Sequence, residues 1–328
     1  MRRRKLLLAA AGTLAAAAAL AGGLPVFWSL PAFRSLAAAS GLTTRRRAGL
    51  ALGTTVALTV AGRDAAGLDT ALDEAFRAIR AVEAAASLFR SDSALARLNR
   101  DGILLAPDPL LLAQLRFALD LAAASGGAFD PTVQPLWTLW AAAAARGERP
   151  AAPVLRETVR RVDWRRVRVD EAAIRLEPGM GLTLNGLVQG FAADRVMAVL
   201  DRHGIADAFI DTGEFGARGQ HPDGTPWRLG LADPREPHRI AEVLTPFVEF
   251  ASTSGDYATS FSPDHADHHI FDPVTGRSPA RLSSVTVTAP TGHLADGLST
   301  AAMVLGDAAG QRLGAGYAGC AARFTVKS

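Results

Sequence analysis

The chain contains a single cysteine, Cys320, in 328 residues. That excludes an internal disulfide and a cysteine-built metal cluster, and leaves the thiol a packing role. A large charge of either sign is also missing, since 35 basic and 32 acidic residues leave a formal net charge of +3. Much of the basic excess lies in the first 47 residues, where Arg2, Arg3, Arg4, Lys5, Arg34 and Arg45 to Arg47 meet no acid. The body is therefore near neutral or slightly acidic, which does not argue for a nucleic-acid partner. No internal repeat and no βαβ cadence is visible, so an α+β domain is favoured over a parallel doubly wound sheet. What is present is apolar: 49% of the residues are hydrophobic, enough for one large domain or two smaller ones with a sizeable core.

Residues 1–33 read as an export leader. A basic start is followed by the apolar run Leu6 to Leu24, the composition of a signal segment. The order Arg-Arg-Arg-Lys-Leu-Leu resembles a twin-arginine leader, which implies export of folded protein to the periplasm. An ordinary secretory signal or a retained anchor is the alternative, because the run is just long enough to span a bilayer. No cysteine follows it, so lipid attachment at this end is excluded. Pro25, Phe27 and Trp28 keep the segment apolar down to Phe33, which leaves the cleavage point open.

In the body, Leu50 to Val60 predicts a strand bulged at Gly53, and Leu68 to Phe89 an amphipathic helix through Leu68, Leu72, Phe76, Ile79 and Val82. Ser91 to Ser93 predicts a turn and cap for a short helix to Asn99, and Pro109 to Ser125 a helix ended by Gly126-Gly127. Ala128 to Val133 is expected to be extended, Ala141 to Pro153 an exposed excursion, and Val167 to Leu176 a hairpin. Ala208 to Asp211, Trp227 to Leu231, Thr245 to Ala251 and Ser283 to Ala289 read as strands, and Leu294 to Leu305 as a helix. Gly213, Gly216 and Gly219 predict a cluster of turns.

The chain is organised around Leu182 to Val196, LTLNGLVQGFAADRV. It reads as a strand, a glycine turn and a helix start from Gly190, an arrangement that brings backbone N–H groups to a phosphate. Its glycine spacing, Gly186-x3-Gly190, matches neither GxGxxG nor GxxxxGK[ST], and a glycine-punctuated core strand feeding a helix is the plainer reading. Four further segments carry reactive side chains: Gly126 to Thr132 (GGAFDPT), Ser252 to Tyr257 (STSGDY), His268 to Gly276 (HHIFDPVTG) and Leu294 to Thr300 (LADGLST). Asp296 and Thr300, four apart on one helix, present both oxygens on one face. Such a pair suits a hard cation such as Mg2+, or else serves as a cap or a solvated polar face.

Taken together, these segments resemble the FAD:protein FMN transferases of the ApbE family, over nearly the whole body from residue 45 to 328. The wording LNGLVQGFAADRV, followed by Asp211-Thr-Gly-Glu214, is most similar to the NosX-like branch that accompanies nitrous-oxide reductase. The resemblance implies an α+β fold of mixed sheets and packed helices around an FAD cleft, with Mg2+ bridging protein and pyrophosphate. It places Leu52, Phe89, Ala128, Phe129, Asp130, Thr183, Gln189 and Phe271 against the flavin nucleotide. It places Asp296, Thr300, Ser299 and the carbonyl of Gly186 at the metal. The family often carries a lysine or glutamate at Gln189 and an acid at Thr183, so this chain departs at the glycine turn.

The implied reaction moves FMN from FAD to a threonine or serine hydroxyl of another protein, a membrane partner in the nitrous-oxide branch, and releases AMP. Attack of an alcohol on a pyrophosphate calls for charge neutralisation, alignment and a base. His269 is assigned the base, with Asp272 orienting it, because an imidazole titrates near neutrality. A surface histidine pair before the Asp272-Pro273 turn is the structural alternative. Two rival functions use the same residues: an FAD pyrophosphatase, with water as acceptor, and a periplasmic FAD carrier without turnover.

Overall fold

A strand bulged at Gly53 was expected, but the chain makes a hairpin there. The computed structural model describes residues 41–327, and the leader 1–33 lies outside them. Strand β1 (Thr43–Ala51) turns at Leu52-Gly53 and returns as β2 (Thr54–Gly62), with Ala51 opposite Thr54. Both turn residues have positive φ, 55° and 76°, as a two-residue antiparallel link requires. Gly53 is also needed sterically, because a Cβ there would come within 2.6 Å of the Phe89 ring. The cost of the left-handed Leu52 is offset by its buried N–H, which donates to Glu83 Oε1 at 2.9 Å.

Helix α1 (Ala65–Ala86) starts at Asp64, which accepts from Ala66 N–H, and buries the five expected residues from Leu68 to Val82. Helix α2 (Ala94–Asp101) is capped by Ser93 and stops at Gly102 with φ 72°. Strand β3 (Ile103–Leu105) leads to α3 (Pro109–Ala124), capped by Asp108 with proline in its first turn. Ala128 to Val133 is a turn rather than an extended segment: Phe129 N–H donates to Ser125 Oγ, and Asp130 Oδ1 accepts from both Thr132 N–H and Thr132 Oγ1.

Of the segment expected to be an exposed excursion, 141–153, the middle is one: 145–149 is an exposed link, while its ends belong to α4 (Gln134–Ala144) and α5 (Ala152–Val159). Leu136 and Trp140 of α4 and Leu155 of α5 make a small core with Phe271. Trp140 stacks near Phe261 and Phe271, with centroids 6.2 and 6.3 Å away, and its indole N–H donates to Gly276 O at 2.9 Å. Arg149 pairs with buried Asp267 at 2.5 Å. The histidine-bearing loop 258–281 is thereby fastened to α4 and α5. Trp140→Ala is expected to cost about 3–5 kcal/mol, as for other buried tryptophans. Limited proteolysis should then cut within 258–281 under conditions the parent resists, and an unchanged cleavage pattern would contradict this anchoring.

Strands β4 (Arg168–Val169) and β5 (Ala173–Arg175) form the expected hairpin and join β3 in the order β3-β5-β4. Leu182 to Leu184 is not a strand. Its pairing partner is a side chain, since Leu182 N–H donates to Asn99 Oδ1 (2.7 Å) and Leu182 O accepts from Asn99 Nδ2 (2.8 Å). Thr183 N–H donates to Pro131 O at 2.8 Å, which ties the segment to the GGAFDPT turn. Helix α6 (Val188–Arg202) follows, opening two residues earlier than expected.

The main sheet has seven strands in the order β1-β2-β6-β7-β10-β11-β12, with every neighbouring pair antiparallel. Its later members are β6 (Asp207–Asp211), β7 (Phe215–Arg218), β10 (Phe250–Gly255), β11 (Leu282–Ala289) and β12 (Ala321–Val326). Gly213 and Gly219 make turns with positive φ at either end of β7, whereas Gly216 lies within the strand. Helices α1, α6 and α7 (Gly292–Leu305) share one core with Val56, Leu58, Val60, Val285 and Val287 of the sheet. Helix α8 (Asp307–Ala315) precedes β12. On the other face, β8 (Leu229–Ala232) and β9 (Ile240–Leu244) form a separate hairpin, and Trp227, Leu229 and Phe247 cover Phe209, Ala217 and Ala251. The architecture is the expected α+β arrangement of mixed sheets and helices. Among the described residues no helix is long and apolar enough to cross a membrane.

Candidate active site

The site forms where α6 and α7 meet. A Cβ on Gly190 would lie 2.1 Å from Gly292 O, and one on Gly292 would lie 2.3 Å from Gly190 O. The helices therefore touch main chain to main chain, and a larger residue at either position is excluded. This contact brings the Asp296 carboxylate to the start of α6, where Gly190 N–H donates to Oδ2 at 3.1 Å. Across from it, β10 supplies hydroxyls. Ser254 Oγ is 2.8 Å from Ser299 Oγ and 3.2 Å from Thr300 Oγ1, and Ser252 Oγ is 3.5 Å from Asp296 Oδ1. The glycine turn closes the group, since a Cβ on Gly186 would meet Thr300 Oγ1 at 2.9 Å and the Phe129 ring at 3.3 Å. Gly186, Asp296, Ser299 and Thr300 are thus brought together, with Phe129 beside them.

Sequence reasoning did not assign Glu214 to the site. It follows the Gly213 turn between β6 and β7, and its Oε2 accepts from Thr253 N–H at 3.3 Å. Burial first, then the nearby Asp296 carboxylate, holds Glu214 well above the usual glutamate range. Burial likewise pushes Asp296 up to about 7, against the stabilising hydrogen bonds from Gly190 N–H and Ser252. Asp211 at the same turn is also raised by burial. The signal in the sequence was an acid inside a glycine turn between two apolar strands. Among the described residues neither Glu214 nor Asp296 has an ion-pair partner.

Buried Asp296 and half-buried Glu214, neither of them in an ion pair among the described residues and both beside hydroxyls, make an all-oxygen donor set. That set fits a hard cation such as Mg2+, which takes one or two carboxylates and completes its shell with water and ligand phosphates. No group of three or more His, Cys, Asp or Glu side chains suited to a metal exists among the described residues. Hydroxyl, main-chain and ligand oxygens are therefore required here.

The residues expected against the nucleotide fall into several groups. Leu52 adjoins Gly53, which the Phe89 ring overlies, and Phe89 is 61% exposed. Ala128 lies in the GGAFDPT turn, where Asp130 is buried and spends its oxygens on Thr132 and on Trp164 N–H. Burial raises its pKa. Thr183 Oγ1 accepts from Asn185 N–H at 3.2 Å. Gln189 lies over the Glu214 turn: a Cβ on Gly213 would come within 2.5 Å of Gln189 Nε2, and Thr212 Oγ1 donates to Gln189 O at 2.9 Å. The Phe271 side chain belongs to the small core with Trp140, so what it offers a ligand is main chain.

The two histidines differ. His268 is fully buried, its Nε2 is 3.3 Å from Pro279 O, and Ser278 bonds its main chain in both directions. Burial brings its pKa down to about 4. His269 is half-buried, and burial lowers its pKa too. Its Nδ1 is 3.2 Å from Thr259 O. A carbonyl only accepts, so Nδ1 carries the proton and Nε2 is left as the basic nitrogen. The expectation that Asp272 orients this ring requires correction. Asp272 Oδ1 accepts from Val274 N–H and Oδ2 from Thr275 Oγ1, so its carboxylate is used within its own turn. The Thr259 carbonyl orients His269 instead.

Carboxylates and clustered hydroxyls at a helix start, with His269 on the loop after β10, give this α+β protein one oxygen-lined polar site. The chain belongs to the ApbE family, whose model matches residues 52–324. It is 34% identical over 287 residues to the FAD:protein FMN transferase of Treponema pallidum, covering 79% of this chain and 78% of that protein. A Vibrio cholerae relative of the same name is 31% identical over 262 residues, covering 75% and 76%. Among solved structures, the flavin transferase ApbE from Vibrio cholerae superposes with a TM-score of 0.74 at 26% identity, covering 88% of this chain and 94% of that one. The apo flavinyl transferase ApbE of Pseudomonas stutzeri gives 0.74 at 30% identity, covering 88% and 92%.

Proposed function

We propose that this chain is an Mg2+-dependent FAD:protein FMN transferase that moves FMN to a threonine or serine hydroxyl of an acceptor protein and releases AMP. The observation that carries the reading is the meeting of Gly186, Asp296, Ser299 and Thr300 at the start of α6. Mg2+ held there by Asp296, Thr300 and the Gly186 carbonyl, with Ser299 beside them, would offset pyrophosphate charge. The residues proposed along the nucleotide are Leu52, Phe89, Ala128, Phe129, Asp130, Thr183, Gln189 and Phe271, the last through its main chain.

In the reaction the acceptor oxygen forms a bond to the FMN-side phosphorus. The phosphoanhydride bond breaks, and AMP leaves with its electron pair. The hydroxyl proton passes to His269 Nε2 while Nδ1–H stays on Thr259 O, so the ring keeps its orientation as it becomes charged. The Asp256 carboxylate favours that charged form. Asp256 is itself fixed by a bidentate pair with Arg235 at 2.8 Å and by Lys327 at 3.2 Å.

The reading extends to residues 45–328 as one flavin-transferase domain behind an export leader at 1–33, working in the periplasm after twin-arginine transport. Support for this comes from the composition of the leader. The LNGLVQGFAADRV and Asp211 to Glu214 wording supports a NosX-like role, with a membrane partner of nitrous-oxide reduction as acceptor. The test is incubation with FAD, Mg2+ and the candidate membrane partner, read by in-gel flavin fluorescence. A fluorescent partner band is expected. Free FMN without a band would make the protein a pyrophosphatase, and unconsumed FAD would make it a carrier.

A further inference from the structure

Neither helix of the site caps itself. Helix α6 opens after Leu187 and α7 after Thr291, and neither residue's side chain bonds an N–H of the turn it precedes. The first N–H groups of a helix have no intrahelical acceptor and need one from elsewhere. Here each helix supplies the acceptor for the other. Asp296 of α7 accepts from Gly190 N–H of α6. In return, Asp194 of α6 accepts from Gly292 N–H at 2.6 Å through Oδ1 and from His293 N–H at 2.9 Å through Oδ2.

The symmetry continues in the spacing. Asp194 lies four residues after Gly190, and Asp296 lies four residues after Gly292. Each carboxylate therefore stands one helical turn beyond the Gly190/Gly292 contact and reaches back to the opposite helix start. Asp194 also holds His293 Nδ1 at 2.5 Å, and the imidazole stands edge-on to Phe117 with centroids 4.3 Å apart. The pair is largely covered, with side-chain exposures of 18% for Asp194 and 27% for His293. The transfer chemistry uses neither residue.

We propose that Asp194, clamped by His293, is a positioning residue for the cation carboxylate. By capping α7 in trans it fixes the height of α7 against α6, and so holds Asp296, Ser299 and Thr300 opposite the Gly186 turn. The inference rests on the reading of Asp296 as a cation ligand. Scale makes the role consequential. A slide of one residue along a helix is about 1.5 Å, whereas Mg2+ demands ligands at about 2.0–2.1 Å in near-ideal octahedral geometry. The Gly190/Gly292 contact limits how closely the helices approach but has no side chain to stop one sliding along the other. A serine or threonine cap would offer one oxygen where Asp194 offers two, shared among three donors.

Asp194→Asn tests this, because it keeps the volume and one acceptor oxygen while losing the second acceptor and the charge. Mn2+ binding to the full chain in the presence of ADP, which carries a pyrophosphate, is followed by the paramagnetic resonance of the free ion. Asp194 acts one step further out than a group bonded to a ligand, so a weakening of about tenfold, the lower end for outer-shell partners, is expected for Asp194→Asn with little change in melting temperature. The Mg2+ concentration for half-maximal transfer should rise by the same factor, and the rate at saturating Mg2+ should recover. His293→Gln should fall between parent and Asp194→Asn, since it leaves the two main-chain caps in place. Parental Mn2+ affinity in Asp194→Asn, with a lowered melting temperature, would overturn the proposal and leave Asp194 a purely structural cap. Asp296→Ala run alongside keeps the premise separate: it should lose Mn2+ binding, and parental affinity there would remove the cation site and the proposal with it.

Discussion

Asp296→Ala is expected to lose FMN transfer by about 10²–10³-fold or more, the scale of removing one preorganised electrostatic group from a reacting centre, while the protein still folds. Stability gives this test a second arm. Burial raises the Asp296 pKa to about 7 in the fold, against an ordinary value of 3.8. A carboxylate raised in this way favours the fold below its unfolded pKa and loses that contribution as pH climbs from about 4 through about 7. In metal-free buffer above pH 7 the parent therefore carries a buried charge whose desolvation outweighs its hydrogen bonds. Asp296→Asn removes that charge, and its oxygen still accepts from Gly190 N–H. It should melt higher than the parent at pH 8 and lose the advantage by pH 5, while remaining inactive. A variant that melts lower at pH 8, or transfers normally at limiting Mg2+, would sink the assignment.

His269→Ala should keep FAD binding and Mg2+ dependence and lose transfer by about 10²–10⁴-fold, the usual contribution of a general base. Binding should survive because the residues proposed along the nucleotide come from other segments. His268→Ala should behave differently. That ring is fully buried against Pro279 O, so its removal leaves a cavity and an unpaired carbonyl. The expected cost is about 1–3 kcal/mol of stability, with activity retained in the folded fraction. Chemical denaturation alongside single-turnover transfer separates the two variants. Equal loss of transfer in both would mean that the loop after β10 has collapsed, and near-parental transfer by His269→Ala would remove the histidine from the mechanism.

How much of this was visible in the sequence depends on how local its cause is. Helices α1 and α3 follow from apolar spacing and caps, α7 from apolar spacing alone, and Ser93 and Gly102 bound α2 by side-chain and backbone rules that need no tertiary partner. The Asp296/Thr300 pair was legible because helical periodicity alone puts both on one face. Elements fixed by distant partners were not. Leu52 is an apolar residue in a left-handed turn, held there by Glu83, so the hairpin read as a bulged strand. Leu182 to Leu184 has strand composition, but the Asn99 side chain stands where a neighbouring strand would be. Strand β9 is exposed along most of its length and shows no alternation to read. Helix α4 is mostly alanine after Trp140, and only the packing of Trp140 on the histidine loop shows why it is ordered.

The site divides the same way. Helical spacing put Asp296 and Thr300 on one face, and the family resemblance alone added Gly186 and Ser299, whereas Glu214 arrives through the β6–β7 turn and Asp194 acts across a helix crossing. Asp272 looked well placed at three residues from His269, yet its oxygens are used by the turn it begins.

Joining FMN to a protein hydroxyl is what separates a transferase from a pyrophosphatase or a carrier. The most direct measurement is the product balance of a single incubation with FAD, Mg2+ and the acceptor protein, reading acceptor mass and AMP together. One FMN added to a threonine or serine of the acceptor is expected for each AMP released, with neither product formed by Asp296→Ala. AMP released in step with free FMN, while the acceptor mass stays unchanged, would contradict it.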